Sequence, residues 1–287
     1  FDGKLSDAVR PFTGSRTVVS GEFDPIEGTY PETSVTYTGR GVFGDYSTHN
    51  ILCLSYEEGV HISDPSVTEL SQERRNFLGR AIMELCCREV FEWDKMQTDP
   101  NFGNYLMRVA EDGRDQIVLL DFGAIRDFDD EVLGPGREMI RAAWYHDTDR
   151  LVGAMRALGF LSGDVPKRLL DDFAALCFEA IEALQDPDRF PPPPSVVNER
   201  GEYLWGESNL PNRVMNRASR TALSVHFDVP PKEFIFLFRK LLGAYTFLHV
   251  IKAQVRGNTI LEPFVHMREE SDRAIVAQKL SKSTGNQ

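Results

Sequence analysis

Three oxygen-bearing side chains stand at spacings that suit divalent-metal and phosphoryl chemistry: Asp99, Asn104 five residues on, and Asp121 at the head of Asp121-Phe122-Gly123. Asp and Asn supply the hard oxygens that Mg²⁺ prefers, and an Asp facing such a site can orient or deprotonate an attacking hydroxyl or water. The first pair lies on Met96-Gln97-Thr98-Asp99-Pro100-Asn101-Phe102-Gly103-Asn104, a segment tightened by Pro100 and Gly103. Either half alone is ordinary turn composition. Their joint force comes from what lies between: strand patterns over 105–109 and 116–120, with Asp112-Gly113 as a turn signal. In an antiparallel hairpin the residue before the first strand lies beside the residue after the second. The spacing therefore predicts that Asn104 and Asp121 meet as metal ligands with Asp99 facing them, and that Gly123 lets the backbone turn sharply behind the ligand.

Other elements must hold that hairpin. A helical stripe runs from Ser71, a plausible N-cap, to about Lys95, with Phe77, Leu78, Ala81, Ile82, Leu85, Cys86 and Val90 spaced by three and four. Ahead of it, Ile51-Leu52-Cys53-Leu54-Ser55-Tyr56 reads as a buried strand. Residues 1–48 read as irregular or β-like, with extended pieces at 16–19 and 34–37. After Gly123 the pattern is almost wholly helical, near 131–145, 147–158, 165–185, 210–225 and 231–255. Phe190-Pro191-Pro192-Pro193-Pro194 marks a rigid extended loop, and 281–287 a frayed polar end.

Composition narrows the classes. With 32 Lys+Arg against 44 Asp+Glu the 287-residue chain carries a net charge of -12, which repels polyanions, so nucleic acid is a poor partner. Cys53, Cys86, Cys87 and Cys177 lack paired metal spacing, and vicinal Cys86-Cys87 inside a helix cannot close an ordinary disulfide, which reads as a reducing compartment. The six histidines are scattered and read as structural, and Asp127, Asp129, Asp130 and Glu131 read as a solvated helix start. No signal-peptide pattern opens the chain. The longest apolar run, 234–251, is interrupted by Arg239-Lys240 and short of the roughly 20 residues of a membrane span, so the chain reads as soluble. The face made by Phe234, Leu237, Phe238, Leu241, Leu242, Tyr245 and Leu248 reads as core, with a membrane or lipid-facing surface as the rival.

Through Met96–Asn104 and Leu120-Asp121-Phe122-Gly123-Ala124-Ile125-Arg126 the chain resembles the UbiB-like atypical kinases, kinase-like proteins linked to ubiquinone biosynthesis; the likeness extends over about 49–260, including the helix start at 70–76 and Gly159-Phe160-Leu161-Ser162-Gly163. The resemblance implies an α+β, protein-kinase-like fold: a mostly helical large lobe with hinge over 49–287, and a truncated or divergent small lobe before it. It implies Mg-ATP as cofactor, with Asp99 as the catalytic-loop aspartate, Asn104 and Asp121 as metal ligands, and Ser55, Tyr56 and Glu57 at the adenine-binding hinge. Implied partners are a nucleotide, an isoprenoid-quinone precursor or a membrane surface, and other quinone-biosynthesis proteins. The implied location is cytoplasmic in a bacterium, peripheral at the membrane, or the mitochondrial matrix side in a eukaryote.

The family's upstream Lys-x-Gly-Gln helix, alanine-rich nucleotide loop and strand lysine with its glutamate partner have no counterpart in this sequence, whose only lysine before residue 51 is Lys4. Either the chain begins inside the small lobe or residues 1 to about 45 are divergent. Two readings follow: an ATPase or small-molecule phosphotransferase, and a non-catalytic nucleotide-binding or lipid-associated scaffold. The short link after Gly123, with no Ala-Pro-Glu beyond it, speaks against a conventional protein kinase.

Overall fold

The order of elements follows from where the apolar periodicity changes. A computed structural model describes residues 16–19, 34–39, 41–51, 53–121, 123–161, 163–222 and 232–284. Lys4, Leu52, Phe122, Ser162, 223–225, 231 and 285–287, which figure in the expectations above, lie outside them.

Both expected extended pieces form strands, β1 (Arg16–Val19) and β2 (Ser34–Gly39). The expected buried strand at 51–56 is not one. Leu54 makes only an isolated bridge with Val42, and Ile51 and Tyr56 are exposed. Of its described apolar residues none is buried: Ile51 and Tyr56 are exposed, Cys53 and Leu54 half-buried.

Asp64 caps the short helix α1 (Pro65–Thr68), its Oδ1 accepting from the Ser66 N–H at 2.9 Å. α2 (Gln72–Phe91) begins as predicted, with Ser71 Oγ accepting from the Arg74 N–H. It ends four residues before the expected Lys95, because the chain reverses through Asp94 at φ 53°. Lys95 instead opens β3 (Lys95–Gln97). A 3-10 turn (Phe102–Asn104) leads into β4 (Tyr105–Arg108), and β5 (Gln116–Leu119) returns antiparallel to it, Tyr105 opposite Leu119. The turn between them uses Gly113 at φ +80° and Asp112, whose Oδ1 accepts from the Arg114 N–H. β5 also pairs in parallel with β2, so the sheet order is β1-β2-β5-β4. β6 (Ile125–Asp127) folds back antiparallel on β3.

The remainder is helical: α3 (Asp130–Tyr145), α4 (Thr148–Ala157), α5 (Lys167–Ala180), then β7 (Tyr203–Leu204), α6 (Leu210–Ala222) and α7 (Lys232–Val250). α7 stops five residues short of the expected 255, since the chain turns through Lys252 at φ 51° into β8 (Gln254–Val255), which pairs with β7. α8 (Asn258–Val265) and α9 (Glu269–Thr284) complete the fold, so 281–284, expected to be frayed, continue a helix. Among the described residues no helix is long and apolar enough to cross a membrane.

α2 is the central strut. Leu78, Ala81, Met83 and Leu85 are each at most 1% exposed. One end is tied to the hairpin by Arg74, which donates to Asp115 (2.9 Å) and to the Ala110 carbonyl (2.8 Å). At the other end Arg137 of α3, wholly buried, donates to Asp272 of α9, to Asp94 before β3, and to Asp130, all within 3 Å. These bonds hold the strand from which the Asp99 loop departs.

Candidate active site

The hairpin does what its spacing demands. Leu120 N–H donates to the Asn104 carbonyl at 2.9 Å, extending the β4–β5 ladder by one rung and setting Asp121 beside Asn104 at the same end. The Asn104 Nδ2 donates to the Asp99 carbonyl (3.0 Å) and to Asp99 Oδ2 (3.2 Å). Both partners are acceptors, so the amide orientation follows and Oδ1 is the atom left for a cation. Asp121 Oδ1 accepts from the Gly123 N–H at 2.8 Å. Asp99, Asn104 and Asp121, singled out at sequence level, thus stand together.

Gln97 ties these segments to one another. Its Nε2 donates to the Asp121 carbonyl and its Oε1 accepts from the Asp99 N–H at 3.1 Å. Thr98 binds the Ala124 carbonyl through both its N–H and its Oγ1. Gly123 lies in a turn, as expected, but without a left-handed φ. It is absent from the left-handed glycines among the described residues, and a Cβ there would sit 3.2 Å from Asp121 Oδ1. Close approach, not a special φ, favours glycine at 123.

The donor set fits Mg²⁺. One carboxylate and one amide oxygen leave most of an octahedral shell to phosphate and water, the usual arrangement for this ion in phosphoryl-transfer sites. A small cavity of about 10 Å³ lies against Asn104, Asp121, Gln97 and Glu89. Among the described residues no group of three or more His, Cys, Asp or Glu is set to hold a metal by protein alone.

Ser55, Tyr56 and Glu57 are not part of this cluster. Glu57 accepts from Arg108 at 2.8 Å, the last residue of β4, whereas Asn104 precedes the first; the two ends lie about 13 Å apart at ~3.3 Å per residue. The Ser55 N–H donates to the Gly41 carbonyl, its Oγ donates to Glu57, and the Tyr56 side chain is 85% exposed.

Sequence reasoning missed what underlies the site. Glu89 of α2 and Lys240 of α7 form an ion pair of 2.8 Å at 1% and 4% exposure, and Lys240 also donates to the Tyr105 hydroxyl at 3.3 Å. Burial drives the Glu89 pKa up, only partly countered by Lys240. Burial pulls Lys240 down, but the Glu89 carboxylate beside it outweighs that and the net shift is upward. A lone charge inside each apolar stripe was the available signal. Gly243, one turn past Lys240, is equally informative: a Cβ there would lie 2.4 Å from Pro100 Cβ, so α7 presses directly against the loop carrying Asp99. Arg239, 3.9 Å from Asp99 and half exposed, adds little by comparison.

Residues 41–155, which include every candidate site residue, match the ABC1 atypical kinase-like domain. The chain is 37% identical over 205 residues to the mitochondrial atypical kinase COQ8 of Saccharomyces cerevisiae, covering 71% of this chain and 37% of that protein. The chain belongs to the UbiB-like family of atypical kinases.

Two further likenesses agree. The probable serine/threonine-protein kinase abkA of Dictyostelium discoideum is 29% identical over 223 residues, 78% of this chain and 38% of abkA. A solved structure, the complex of Rv3197 with erythromycin from Mycobacterium tuberculosis, superposes with a TM-score of 0.53 at 18% identity, covering 81% of this chain and 53% of that one. The α+β fold is thus kinase-like, and the chain spans about a third to two-fifths of the length of these curated relatives. Only residues 124–129 separate Gly123 from α3, and three of them are taken up by β6, so the long segment that lies between Asp-Phe-Gly and Ala-Pro-Glu in protein kinases has no room here.

Proposed function

We propose that this chain forms the metal- and nucleotide-binding half of an atypical kinase-like ATPase or phosphotransferase that works with Mg-ATP. The observation that carries the reading is the convergence of Asn104 and Asp121 at one end of the β4–β5 hairpin, with Asp99 bonded to Asn104. Bound Mg²⁺ would supply charge neutralisation across the phosphates. Asn104 Oδ1 and the Asp121 carboxylate would hold it. Asp99, about half exposed, would orient the attacking hydroxyl or water and take its proton. Ser55, Tyr56 and Glu57, anchored at the far end of β4 through Arg108, would stand by the adenine, so a nucleotide would lie along the hairpin with its base and phosphates at opposite ends. The region over 49–287 acts in this reading as the large lobe with its hinge, and residues before it as part of a small lobe.

Membership of a family linked to ubiquinone biosynthesis supports a role in isoprenoid-quinone metabolism or lipid homeostasis, alongside other quinone-biosynthesis proteins. Relatives named as mitochondrial favour the matrix side in a eukaryote and the cytoplasmic side in a bacterium. The test is Mg²⁺-dependent protection by ATP in thermal melting, wild type against Asp121→Asn, followed by ATP hydrolysis with Asp99→Asn. Protection lost in Asp121→Asn and turnover lost in Asp99→Asn are expected. Protection without turnover in the wild type would replace catalysis with the scaffold reading; an equal shift with and without Asp121 would overturn the metal assignment.

A further inference from the structure

A roomy cavity lies away from the hairpin. It has a volume of about 430 Å³ and lies among α2, α3, α5, α6 and α7. That is roughly three times the ~150 Å³ of an engineered apolar cavity that takes up benzene, and within the ~300–1,000 Å³ of small-molecule sites. Every described residue lining it is Ala, Gly, Val, Leu, Ile, Met, Phe or Cys. On α7, Leu237 and Leu241 face it while Lys240 and Gly243 turn to the Asp99 loop; on α2, Cys86 and Val90 face it while Glu89 turns to the metal end of the hairpin. The cavity and the metal site therefore lie on opposite sides of the same two helices. It reaches the surface at Ile235, which is 42% exposed.

We propose that this cavity is a second binding site, separate from the metal site, that takes one hydrocarbon chain, fatty acyl or prenyl, with any polar end left at the mouth. Cores are packed to crystal density, with voids larger than a water both few and small. A space of this size is therefore a ligand site. Its lining selects the ligand class. Among the described residues that line it, the only hydrogen-bonding side chains are the thiols of Cys86, Cys87 and Cys177, so a buried hydroxyl, amide or charge would go unpaired against them. Unbranched Met and soft thiols adapt to a flexible chain better than to a rigid polar ligand. Burial pushes the Cys86 thiol up to about 12 against the pull of Lys240, so the thiols stay protonated and the site binds without covalent chemistry. The assignment stands on the cavity alone and does not depend on nucleotide binding.

Titration of the full chain with cis-parinaric acid tests it, with palmitate and farnesol as competitors to separate the acyl from the prenyl source. Saturable fluorescence from a single site is expected, displaced by at least one competitor. Cys177→Trp on α5 and Ala218→Phe on α6 fill the space from two sides. Each should keep the wild-type circular dichroism and weaken binding by about tenfold or more, ~1.4 kcal/mol. If a filled variant fails to fold, the melting temperature of the wild-type protein with and without palmitate or farnesol gives the same answer, since a chain bound only to the folded cavity raises it. No saturable binding, undiminished binding in folded filled variants, or a melting temperature unmoved by either chain would each overturn the proposal.

Discussion

Removing the ammonium of Lys240 with a side chain of similar length, Lys240→Met, strands the Glu89 carboxylate in the interior. Both groups are under 5% exposed and 2.8 Å apart, so the carboxylate left behind has almost no access to water. Breaking such a pair from one side costs roughly 3–5 kcal/mol, whereas replacing both partners with apolar groups is often near neutral. For 287 residues at about 2.1 cal/mol/K each, the unfolding entropy near the melting temperature is about 0.6 kcal/mol/K, so the single variant should melt roughly 5–8 °C lower. Glu89→Leu/Lys240→Met should recover most of that loss. The pH dependence has a definite sign. Burial raises the folded pKa of Glu89, so its stability contribution is present at low pH and is lost as pH rises through the folded value. With Lys240 gone that rise grows, and the deficit of Lys240→Met should be smaller at pH 5 than at pH 8. Urea melts of the four proteins of the cycle at both pH values measure this. A double variant as unstable as Lys240→Met, or a deficit that does not shrink in acid, would refute the reasoning.

Other positions yield equally direct expectations. Gly243→Ala should drive Pro100 and the Asp99 loop outward at an overpacking cost of about 1–3 kcal/mol, lowering Mg²⁺-dependent turnover more than nucleotide affinity; unchanged turnover would show that α7 does not position Asp99. Arg137→Met should take one of its two buried guanidinium partners from Asp272, leaving Arg141 at 2.7 Å, and destabilise the chain by up to roughly 3–5 kcal/mol, while Asp272→Asn, which keeps hydrogen-bonding capacity, should cost less; calorimetry checks the order. Gly257→Ala should destabilise strongly although its φ is ordinary, because the new methyl would meet the Ala183 carbonyl oxygen at 2.0 Å, a contact no backbone tolerates; a melting temperature within a degree or so of wild type, under ~1 kcal/mol, would contradict the packing there.

Local chemistry was legible along the chain wherever the decisive interaction joined near neighbours. Asn104 and Asp121 could be placed together because one short hairpin ties them, and Ser71 could be named as a cap because its partner is three residues away. The helical stripes of α3 to α7 were legible for the same reason, and so was the short link after Gly123. What escaped was set by distant partners. The run 51–56 has strand composition but no continuous neighbour, whereas Lys95–Gln97 is too short to read and becomes a strand only because Ile125–Asp127 folds onto it. α8 and α9 passed unnoticed at sequence level, yet α9 supplies Asp272 to the clamp on Arg137.

The sequence by itself determined the candidate site's oxygens and the hairpin that gathers them, since backbone pairing across a tight turn leaves little choice of register. Only the tertiary structure decided what supports and surrounds that site: the Glu89–Lys240 pair, the press of Gly243 on Pro100, and the apolar cavity behind α2 and α7. Burial and packing depend on which helix faces meet, over separations of 150 residues, and no local pattern specifies that.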